Sequence, residues 1–442
     1  MSGHPAESPN PIDPARGLAD WIPSLVETYR RGVADSLPNP RAGIAVTPNL
    51  SAKGIALIGD SLLKLQRGLT NDRRLSGRND GFGYMDSPDL LGAYLLYYWP
   101  VSYLETFLSL RFGHFHARRI LDLGSGPGPA AAAFANAAGT EKALLADGSP
   151  AALELARHLL SGQVETRTAL LDFEDAALAA GETFDAIVAS HLLNELWKDE
   201  ADRIERRLAF IEGQARRLDQ GGFLLVIEPA TQVASRELLA LRDALAARGW
   251  RILAPCPSSR PCPVLRAGPG RSCHGEASWS APEPVASLAA RAGLDRVSVK
   301  WTFFVAAPPA PTGSAQVLPS ASGASPRGGA DSSVSRGRVV SEGLLNKAGR
   351  LRYALCSETG LLSLSAKPES PMAVNSGFAS LRRYDLVTIS GAELREGGLG
   401  LSEGSSVTIE PAPLISVSTK WHAEAKIGDG RPGAPKSKRN IL

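Results

Sequence analysis

The stretch ILDLGSGPGP, residues 120–129, decides the fold of this 442-residue chain. Its apolar start predicts a short strand and the alanine-rich segment behind it predicts a helix, so the glycines lie in the turn between them. In an open α/β sheet a ligand lies just past the carboxyl end of a strand, and glycine lets the backbone approach that ligand closely. The spacing G-x-G-x-G differs from the G-x-G-x-x-G of dinucleotide-binding folds, so the loop alone is a weak sign of a nucleotide site.

Acidic residues end the next two predicted strands. Asp147 ends ALLAD, and Asp172 follows in LLDFED. An acid at the first position can accept hydrogen bonds from ribose hydroxyls, and we expect the second to reach the exocyclic amine of an adenine. Helix capping by Asp147 or Ser149 would explain the same letters. The set resembles the class I S-adenosylmethionine-dependent methyltransferase fold, and the candidate cofactor-binding residues are Asp122, Gly124, Ser125, Gly126, Gly128, Asp147 and Asp172.

Strand-like and helix-like segments alternate from residue 119 onward. Helical patterns such as PAAAAFANAA and DEADRIERRLAFIEGQARRL separate the strands, and this alternation is typical of a parallel sheet covered by helices. The sequence therefore predicts a doubly wound α/β fold of the class I methyltransferase type. The predicted strands are 120–124, 143–147, 166–172, 184–190 and 222–229.

Segments of different composition flank the predicted sheet. The first hundred or so residues have helical apolar spacing, and Pro100 should kink or split the last of their helices. A stretch rich in Pro, Gly, Ser and Ala predicts a flexible linker, and short strands broken by Gly, Asn and Ser follow it. The predicted units are an N-terminal helical region at 1–117, a methyltransferase-like domain at 118–304 that includes the cysteine loop 256–273, a linker at 305–336, a small β domain at 337–415 and a basic tail at 416–442.

The sequence does not identify a catalytic residue. After the fourth predicted strand, SHLLNELW stands where many amino-directed methyltransferases carry Asn or Asp followed by Pro-Pro and an aromatic residue. Asn194 and Glu195 could orient or deprotonate a substrate, but a helix start with buried leucines explains the same letters. If methyl transfer occurs, we expect the protein to act mainly by aligning the reactants.

Three of the four cysteines lie close together on a proline-rich loop. Cys256, Cys262 and Cys273 are 6 and 11 positions apart, and Cys356 follows 83 positions later. Disulfides are disfavoured in a reducing compartment. Four thiolates suit one iron–sulfur cluster, tetrahedral zinc would accept the same four, and four buried structural cysteines are the third interpretation.

Charge and hydropathy indicate which classes of protein, such as membrane or nucleic-acid-binding proteins, the sequence favours or disfavours. The N-terminal residues lack an apolar run behind a basic start, and eighteen apolar residues never follow one another, so we expect a cytoplasmic chain without a membrane span. A net charge of +3 does not by itself indicate nucleic-acid binding. Two basic segments could pair with phosphates, although a solvated helix face and a disordered tail are equally compatible with them. Their residues are Lys64, Arg67, Arg73, Arg74 and Arg78 in the first, and Arg431, Lys436, Lys438 and Arg439 in the second.

The sequence motifs around the cysteines are similar to those of a known family. HLLNEL, LLVIEPAT, LAPCPSSRPCPVL, SCHG, GRVV and YALCSETG, in this order, resemble the methyltransferase-like small-ribosomal-subunit assembly factors, the family of methyltransferase-like protein seventeen and its bacterial relatives. The resemblance covers roughly residues 88–302 and 336–390. It implies a four-iron four-sulfur cluster, with zinc as the alternative, held by Cys256, Cys262, Cys273 and Cys356.

The sequence departs from the family in one of the cysteine-containing motifs. The family's W-C-H-F reads Ser272-Cys273-His274-Gly275 here, so the flanking aromatic residues are missing, and His274 is an alternative ligand or a neighbour of one. A metal joining Cys356 to the cysteine loop would staple the β domain onto the sheet across the linker.

The resemblance also implies the partners. It predicts an S-adenosylmethionine-binding protein, a monomer when free, that acts on small-subunit ribosomal RNA or in assembly of the small ribosomal subunit without a membrane partner. A non-catalytic RNA-binding assembly factor is one alternative, and a small-molecule methyltransferase with a structural zinc is another.

Overall fold

The structure, a computed structural model, describes residues 14–33, 50–70, 83–174, 178, 181–294, 296–309, 335–395, 398–413 and 417–418. The second basic segment, Arg73, Arg74 and Arg78 of the first, and most of the predicted linker lie outside the described residues. Among the helices that are described, none is both long enough and apolar enough to cross a bilayer.

A nine-stranded sheet forms the larger part of the fold. Its first eight strands are β1 Arg119–Leu123, β2 Lys142–Asp147, β3 Glu165–Leu170, β4 Phe184–Ser190, β5 Leu218–Pro229, β6 Arg251–Ala254, β7 Gly275–Ser280 and β8 Ser298–Ala307. Strands β1 to β5 are parallel and lie in the order β3-β2-β1-β4-β5. Strand β8 pairs antiparallel with β5, and both β6 and β7 pair antiparallel with β8.

This strand order confirms the predicted doubly wound α/β fold. From β1 the chain runs outward through β2 to β3 and then returns to β4 on the other side of β1, so the strand order reverses between β1 and β4. Ligands of open α/β sheets bind outside the carboxyl ends of the strands at such a reversal. The glycine loop follows β1 at this position, and His191 follows β4.

Helices cover the sheet and precede it. Four lie before β1: α1 Pro14–Thr28, α2 Ala52–Thr70, α3 Pro88–Ala93 and α4 Trp99–Leu110. Those after β1 are α5 Pro129–Ala138, α6 Pro150–Leu160, α7 Arg203–Ala215, α8 Gln232–Ala247, α9 Pro263–Arg266, α10 Val285–Ala292 and α11 Pro371–Ser376.

The apolar N-terminal segment is split near Pro100, as predicted. Helix α3 ends at Ala93, Tyr94–Tyr98 forms a wider π-helical turn, and Pro100 stands in the first turn of α4. Proline is tolerated there because the first N–H groups of a helix have no intrahelical acceptor. All residues of α4 are buried.

A second sheet of eight strands lies in the C-terminal part. Its strands are β9 Ser335–Val339, β10 Leu344–Leu345, β11 Leu351–Ser357, β12 Gly360–Ala366, β13 Leu386–Ser390, β14 Glu393–Arg395, β15 Gly398–Gly400 and β16 Ser406–Glu410. The order is β14-β15-β12-β11-β9-β13-β16, with β10 beside β11. A further strand, β17 Val417–Ser418, lies within the segment expected as a tail and pairs with β7 of the first sheet.

Aromatic side chains join the two sheets. Tyr384, which follows the helical turns of the second sheet, is 1% exposed and packs edge-on against Phe112 and Phe303, with ring centroids 5.6 and 6.0 Å apart. A Cβ atom on Gly275 of β7 would lie 3.0 Å from the Tyr384 ring, so the close approach requires glycine there. The cysteine loop therefore lies beside the second sheet.

Candidate functional site

The glycine loop is a tight turn anchored at both ends. The amide of Gly124 donates a hydrogen bond to the Ala146 carbonyl at 2.8 Å, which ties the loop to the end of β2. The indole of Trp99 donates to the Pro127 carbonyl at 3.0 Å, so α4 holds the other side. All three glycines are left-handed, with φ of +67°, +51° and +79° at Gly124, Gly126 and Gly128.

Asp122 is a buried carboxyl group without a partner beside this loop. It is 1% exposed, and neither carboxyl oxygen forms a hydrogen bond with the residues that the structure describes. Burial raises the pKa of Asp122 to about 8, the charge of Asp147 adds to the rise, and the nearby amide of Ala131 offsets only part of it. A buried carboxyl group is normally stabilised by a cation or a hydrogen-bond donor, so one is expected here when a ligand is bound. S-adenosylmethionine carries an ammonium and a sulfonium cation, so this residue fits the cofactor.

Asp147 lies at the end of β2 with both oxygens engaged by the backbone. Its Oδ2 accepts from the amide of Gly126 at 2.8 Å, and its Oδ1 accepts from the amide of Ser149 at 2.8 Å. Burial raises the pKa of Asp147, and these amides act against the rise. The cap of α6 is Ser149, whose Oγ accepts from the Ala152 amide at 3.1 Å. The carboxylate thus braces the glycine loop.

The other two predicted polar residues have local partners. Ser125 is buried, and its hydroxyl donates to the Gly126 carbonyl at 3.4 Å. Asp172 is exposed two residues after β3, and its Oδ1 accepts from the Glu174 amide at 3.0 Å. Both therefore stabilise turns at the ligand edge of the sheet.

A segment for which the sequence predicted no role covers the glycine loop. This covering segment, Tyr84–Tyr94, places Met85 so that a Cβ on Gly126 would lie 3.5 Å from its methyl group. The hydroxyl of Ser149 donates to Asp86 at 2.6 Å, which fixes the segment to the start of α6. The site is therefore closed on this side by residues that precede α4.

His191, directly after β4, forms a close pair with Glu105 of α4. Its backbone φ is +57°, a strained value for a residue with a Cβ atom. Nε2 lies 2.5 Å from the Glu105 carboxylate, which is 5% exposed, whereas the His191 side chain is 26% exposed. Burial lowers the pKa of the imidazole, but the charge and hydrogen bond of Glu105 outweigh this and raise it. The pair places the imidazole at the edge where ligands bind.

Glu228 and Asn194 extend this polar cluster. With the Asn194 amide nitrogen turned toward the acceptors, it donates to Glu228 at 2.8 Å and to the His191 carbonyl at 3.1 Å. The Asn194 backbone amide also donates to Glu228, at 3.2 Å. Burial raises the pKa of Glu228 to about 7, while His191 and Asn194 act against the rise. Glu228 ends LLVIEP at the carboxyl end of β5, so its place at a strand end was the signal that the sequence analysis passed over.

We expect replacement of Glu228 by glutamine to change how stability depends on pH. A carboxyl whose pKa is raised from 4.5 to about 7 binds its proton more tightly in the folded state, so the free energy of unfolding falls as pH rises from about 4.5 to 7. Glu228→Gln should remove that fall, a relative gain of at most ~3 kcal/mol at pH 8. Urea unfolding of both chains between pH 5 and 8 measures the difference. Parallel pH profiles would contradict the assignment.

Three of the four cysteines lie in one apolar cluster, whereas Cys256 packs against a different one. Cys262, Cys273 and Cys356 share one apolar cluster with Leu239, Val264 and Val340. The charge of Cys256 acts on the thiols of the other three, which places it within electrostatic reach of each. Residues separated by 83 positions in the sequence thus meet between the two sheets.

Polar contacts hold the backbone around each cysteine. The Cys262 amide donates to the Asp243 carboxylate at 2.8 Å, and Ser235 on the same helix, α8, donates to the Cys273 carbonyl at 2.7 Å. The Sγ of Cys273 lies 3.6 Å from the Tyr384 hydroxyl. Cys356 lies on β11 opposite Arg338 of β9. Residues of both sheets therefore contribute to the position of the cysteines.

Burial raises the pKa of three of the four thiols. Burial, followed by the charge of Cys256, raises the pKa of Cys273 to about 12. Burial also raises the pKa of Cys262, to about 11, and that of Cys356 well above its usual range. Burial lowers the pKa of the adjacent His274 to about 4, so its imidazole is neutral.

These residues fit a metal group but are not arranged around one. Within the described ranges, no group of three or more His, Cys, Asp or Glu side chains stands ready to hold a metal ion. The donor set nevertheless suits an iron–sulfur cluster or zinc, both of which take thiolates. The buried Nδ1 of His274 also has no hydrogen-bond partner among the described residues.

Comparisons with known proteins give one family and several similar solved structures. The family model described as mitochondrial small ribosomal subunit Rsm22 matches residues 95–363, more than half of the chain. No curated protein matches the chain. Among solved structures, the DhpI–SAH complex is 19% identical, with a TM-score of 0.29, and the match covers 57% of this chain and 98% of that one.

Two further solved structures are similar over shorter parts. The precorrin-6y C5,15-methyltransferase of Geobacter metallireducens is 12% identical, with a TM-score of 0.29, over 46% of this chain and 86% of that one. An S-adenosylmethionine-dependent methyltransferase of Clostridium acetobutylicum is 18% identical, with a TM-score of 0.23, over 30% of this chain. The match spans about half, 51%, of the Clostridium protein.

Proposed function

Because the chain belongs to the Rsm22 family of the mitochondrial small ribosomal subunit, we propose that it is an S-adenosylmethionine-binding, methyltransferase-like protein that acts on small-subunit ribosomal RNA or in small-subunit assembly. The observation that carries the cofactor part is the buried Asp122 carboxyl, which lacks a partner among the described residues beside a left-handed glycine loop. The family supports the ribosomal part.

The proposal gives each residue of the site a role toward the cofactor. S-adenosylmethionine, when bound, supplies an electrophilic methyl group. The backbone of the glycine loop would lie against it, and ionised Asp122 would attract its cationic groups. Asp147 would accept from the ribose hydroxyls and Asp172 from the adenine amine. Tyr84–Tyr94 would exclude water from the bound cofactor.

We further propose that Cys256, Cys262, Cys273 and Cys356 hold a four-iron four-sulfur cluster, with zinc as the alternative. The packing of Cys262, Cys273 and Cys356 in one apolar cluster supports this, as does the electrostatic reach of Cys256 to each of them. The cluster would be structural, since it joins β11 of the second sheet to the loop beside α8 of the first.

A second candidate is a non-catalytic RNA-binding assembly factor, because the sequence identifies no catalytic residue. Glu105 and Glu228 lie behind His191, and Asp122 lies under the glycine loop. All three groups are buried, and burial raises the pKa of Asp122 to about 8 and that of Glu228 to about 7, so they line the interior of the site rather than contact a phosphate backbone. In this candidate the cofactor is held as a structural ligand.

We expect replacement of Asp122 by asparagine to weaken S-adenosylmethionine binding about tenfold, because one charge-assisted interaction is lost. Wild-type affinity should rise with pH as Asp122 ionises near pH 8, and the asparagine variant should lose that slope. Calorimetric titration between pH 6.5 and 9 measures both effects. Asp185→Asn is the matched control, because Asp185 lies at the opposite, amino end of β4. Equal affinities and slopes would contradict the proposed site.

Methyl incorporation separates the two candidates. Labelled S-adenosylmethionine is incubated with the protein and immature small subunits, and incorporation into RNA is counted. Binding of the cofactor without incorporation would favour the assembly factor. Co-sedimentation with small subunits that is lost at high salt would support RNA contacts, and its absence in low salt would favour a small-molecule methyltransferase.

Location and oligomeric state complete the proposal. We propose that the free protein is a monomer located in the cytoplasm. The description of the family, however, names mitochondria. Cell fractionation and light scattering test these two points. A mitochondrial location would correct the first without affecting the site.

A further inference from the structure

We propose that Arg242 and Arg338 are the cationic partners of the cysteine cluster, one from each sheet, and that they position and stabilise the anionic group that the four thiolates would hold. The inference rests on the proposed function, because it concerns the charge of that group. A cluster ligated by four thiolates carries net negative charge, and burying it requires cations or donors nearby.

Arg242 holds the cysteine loop from the side of the first sheet. It lies on α8 and is 2% exposed. Its Nη1 donates to the Arg260 carbonyl at 2.5 Å and its Nη2 donates to the Ser258 carbonyl. Both carbonyls lie between Cys256 and Cys262 in the sequence. The guanidinium therefore fixes the loop that carries the first two thiols.

Arg338 reaches the cluster from the second sheet. It lies on β9 directly opposite Cys356 of β11. Its Nη1 donates to the Tyr384 carbonyl at 2.5 Å, and its guanidinium lies 5.7 Å from the centre of the Phe112 ring. The hydroxyl of Tyr384 in turn contacts Cys273. Arg338 thus stands between two of the cysteines.

Each arginine has one buried N–H donor without a hydrogen-bond acceptor among the described residues. The Nε atoms of Arg242 and Arg338 are both buried and have no hydrogen-bond partner among the described residues. Arg242 has a carboxylate neighbour, Asp243, at 2.6 Å. Arg338 forms no ion pair within the part of the chain that the structure describes. A guanidinium with a buried, unpartnered Nε atom and no carboxylate is costly, so an anion is expected beside it.

The charges of the two arginines and the four thiols act on one another. Burial lowers the pKa of the Arg242 guanidinium, but the charges of Cys256 and Cys262, together with Asp243, raise it. Arg242 in turn lowers the pKa of the Cys356 thiol. Burial lowers the pKa of Arg338, against which the charges of Cys256 and Cys273 act. Since Arg338 lies opposite Cys356 and Arg242 holds the backbone between Cys256 and Cys262, a cation flanks the cysteines from each sheet.

The test compares Arg338→Met and Arg338→Lys with the wild-type full-length chain, purified without oxygen. Iron and acid-labile sulfide per chain, the rate of cluster loss in air and the reduction potential are measured. We expect Arg338→Met to lose the cluster tenfold to a hundredfold faster, the usual range for removal of a group that supports metal ligands. Its potential should be lower, because the reduced, more negative cluster loses a cation. Arg338→Lys, which keeps the charge, should restore much of both.

Two controls make the outcome decisive. Arg350→Met removes another arginine of the second sheet, whose guanidinium donates to the carbonyls of Ser365 and Leu401, and it should leave the potential unchanged. If Arg338→Met does not fold, Arg338→Gln keeps a donor to Tyr384 and gives the same readouts. Loss rate and potential equal to the wild type in the uncharged variants would overturn the inference. Wild-type chain without iron and sulfide would instead contradict the proposed cluster itself.

Discussion

Replacing Cys356 by serine is expected to lower the iron and acid-labile sulfide of the purified chain roughly tenfold or more, because a hydroxyl is a poor substitute for a thiolate ligand. Cys356 is the single proposed ligand from the second sheet, whereas the other three lie on one loop. Its loss should also release the link between the sheets and lower the thermal unfolding midpoint. Elemental analysis measures the first effect and calorimetry the second.

The physical reason for the stability effect is the length of chain that the cluster closes. The proposed ligands span from Cys256 to Cys356, and closing a long loop restrains the unfolded chain strongly. Because the site is not arranged for a metal in the described residues, binding energy is spent partly on ordering it. Removing one ligand therefore removes both the group and the order that it imposes.

A neighbouring apolar substitution separates lost ligation from lost packing. Val340 is 7% exposed in the same apolar cluster as Cys356. Val340→Ala should lower the unfolding midpoint by creating a small cavity, yet it should leave iron and sulfide unchanged. If Cys356→Ser retains as much iron and sulfide as Val340→Ala, the four-cysteine site is wrong. If the wild-type chain contains zinc in place of iron, the proposed metal link between the two sheets is retained, but the metal group is zinc and not an iron–sulfur cluster.

The main sheet could be predicted from sequence because its signals are local. Strands β1, β2 and β4 are short, largely apolar runs bounded by turns, and the glycine loop between β1 and α5 marks the ligand edge. The family resemblance is confirmed by the match over 95–363. The helical N-terminal part followed from apolar spacing, and the split near Pro100 followed from the geometry of proline.

Much of the candidate site could not be predicted because it depends on contacts between distant segments. The covering segment lies against the glycine loop only once α3 and α6 are packed. Glu105 meets His191 across 86 positions, and Arg338 meets Cys356 across a strand pair. Charged residues in such places read as ordinary surface residues in the sequence, since burial is what gives them their role.

Replacing Gly124 by alanine is expected to weaken S-adenosylmethionine binding about tenfold or more and to lower the unfolding midpoint. The φ of Gly124 is +67°, and a Cβ there would lie 2.9 Å from Cδ1 and 3.1 Å from Cβ of Leu192. Left-handed backbone costs a residue with a Cβ atom about 1–2 kcal/mol, and the contact is too close to be kept. The loop must therefore move away from the position at which it would meet the cofactor.

Gly139 offers a matched control for the backbone strain. It ends α5 with φ of +72°, and a Cβ there would meet nothing within 4 Å. Gly139→Ala should lower stability by about 1 kcal/mol from strain alone and leave cofactor affinity unchanged. Adding Leu192→Ala to Gly124→Ala should restore part of the affinity, because it removes the side chain that the new Cβ strikes. Equal affinities for Gly124→Ala and Gly139→Ala, measured by the same calorimetric titration, would mean that the glycine loop does not meet the cofactor.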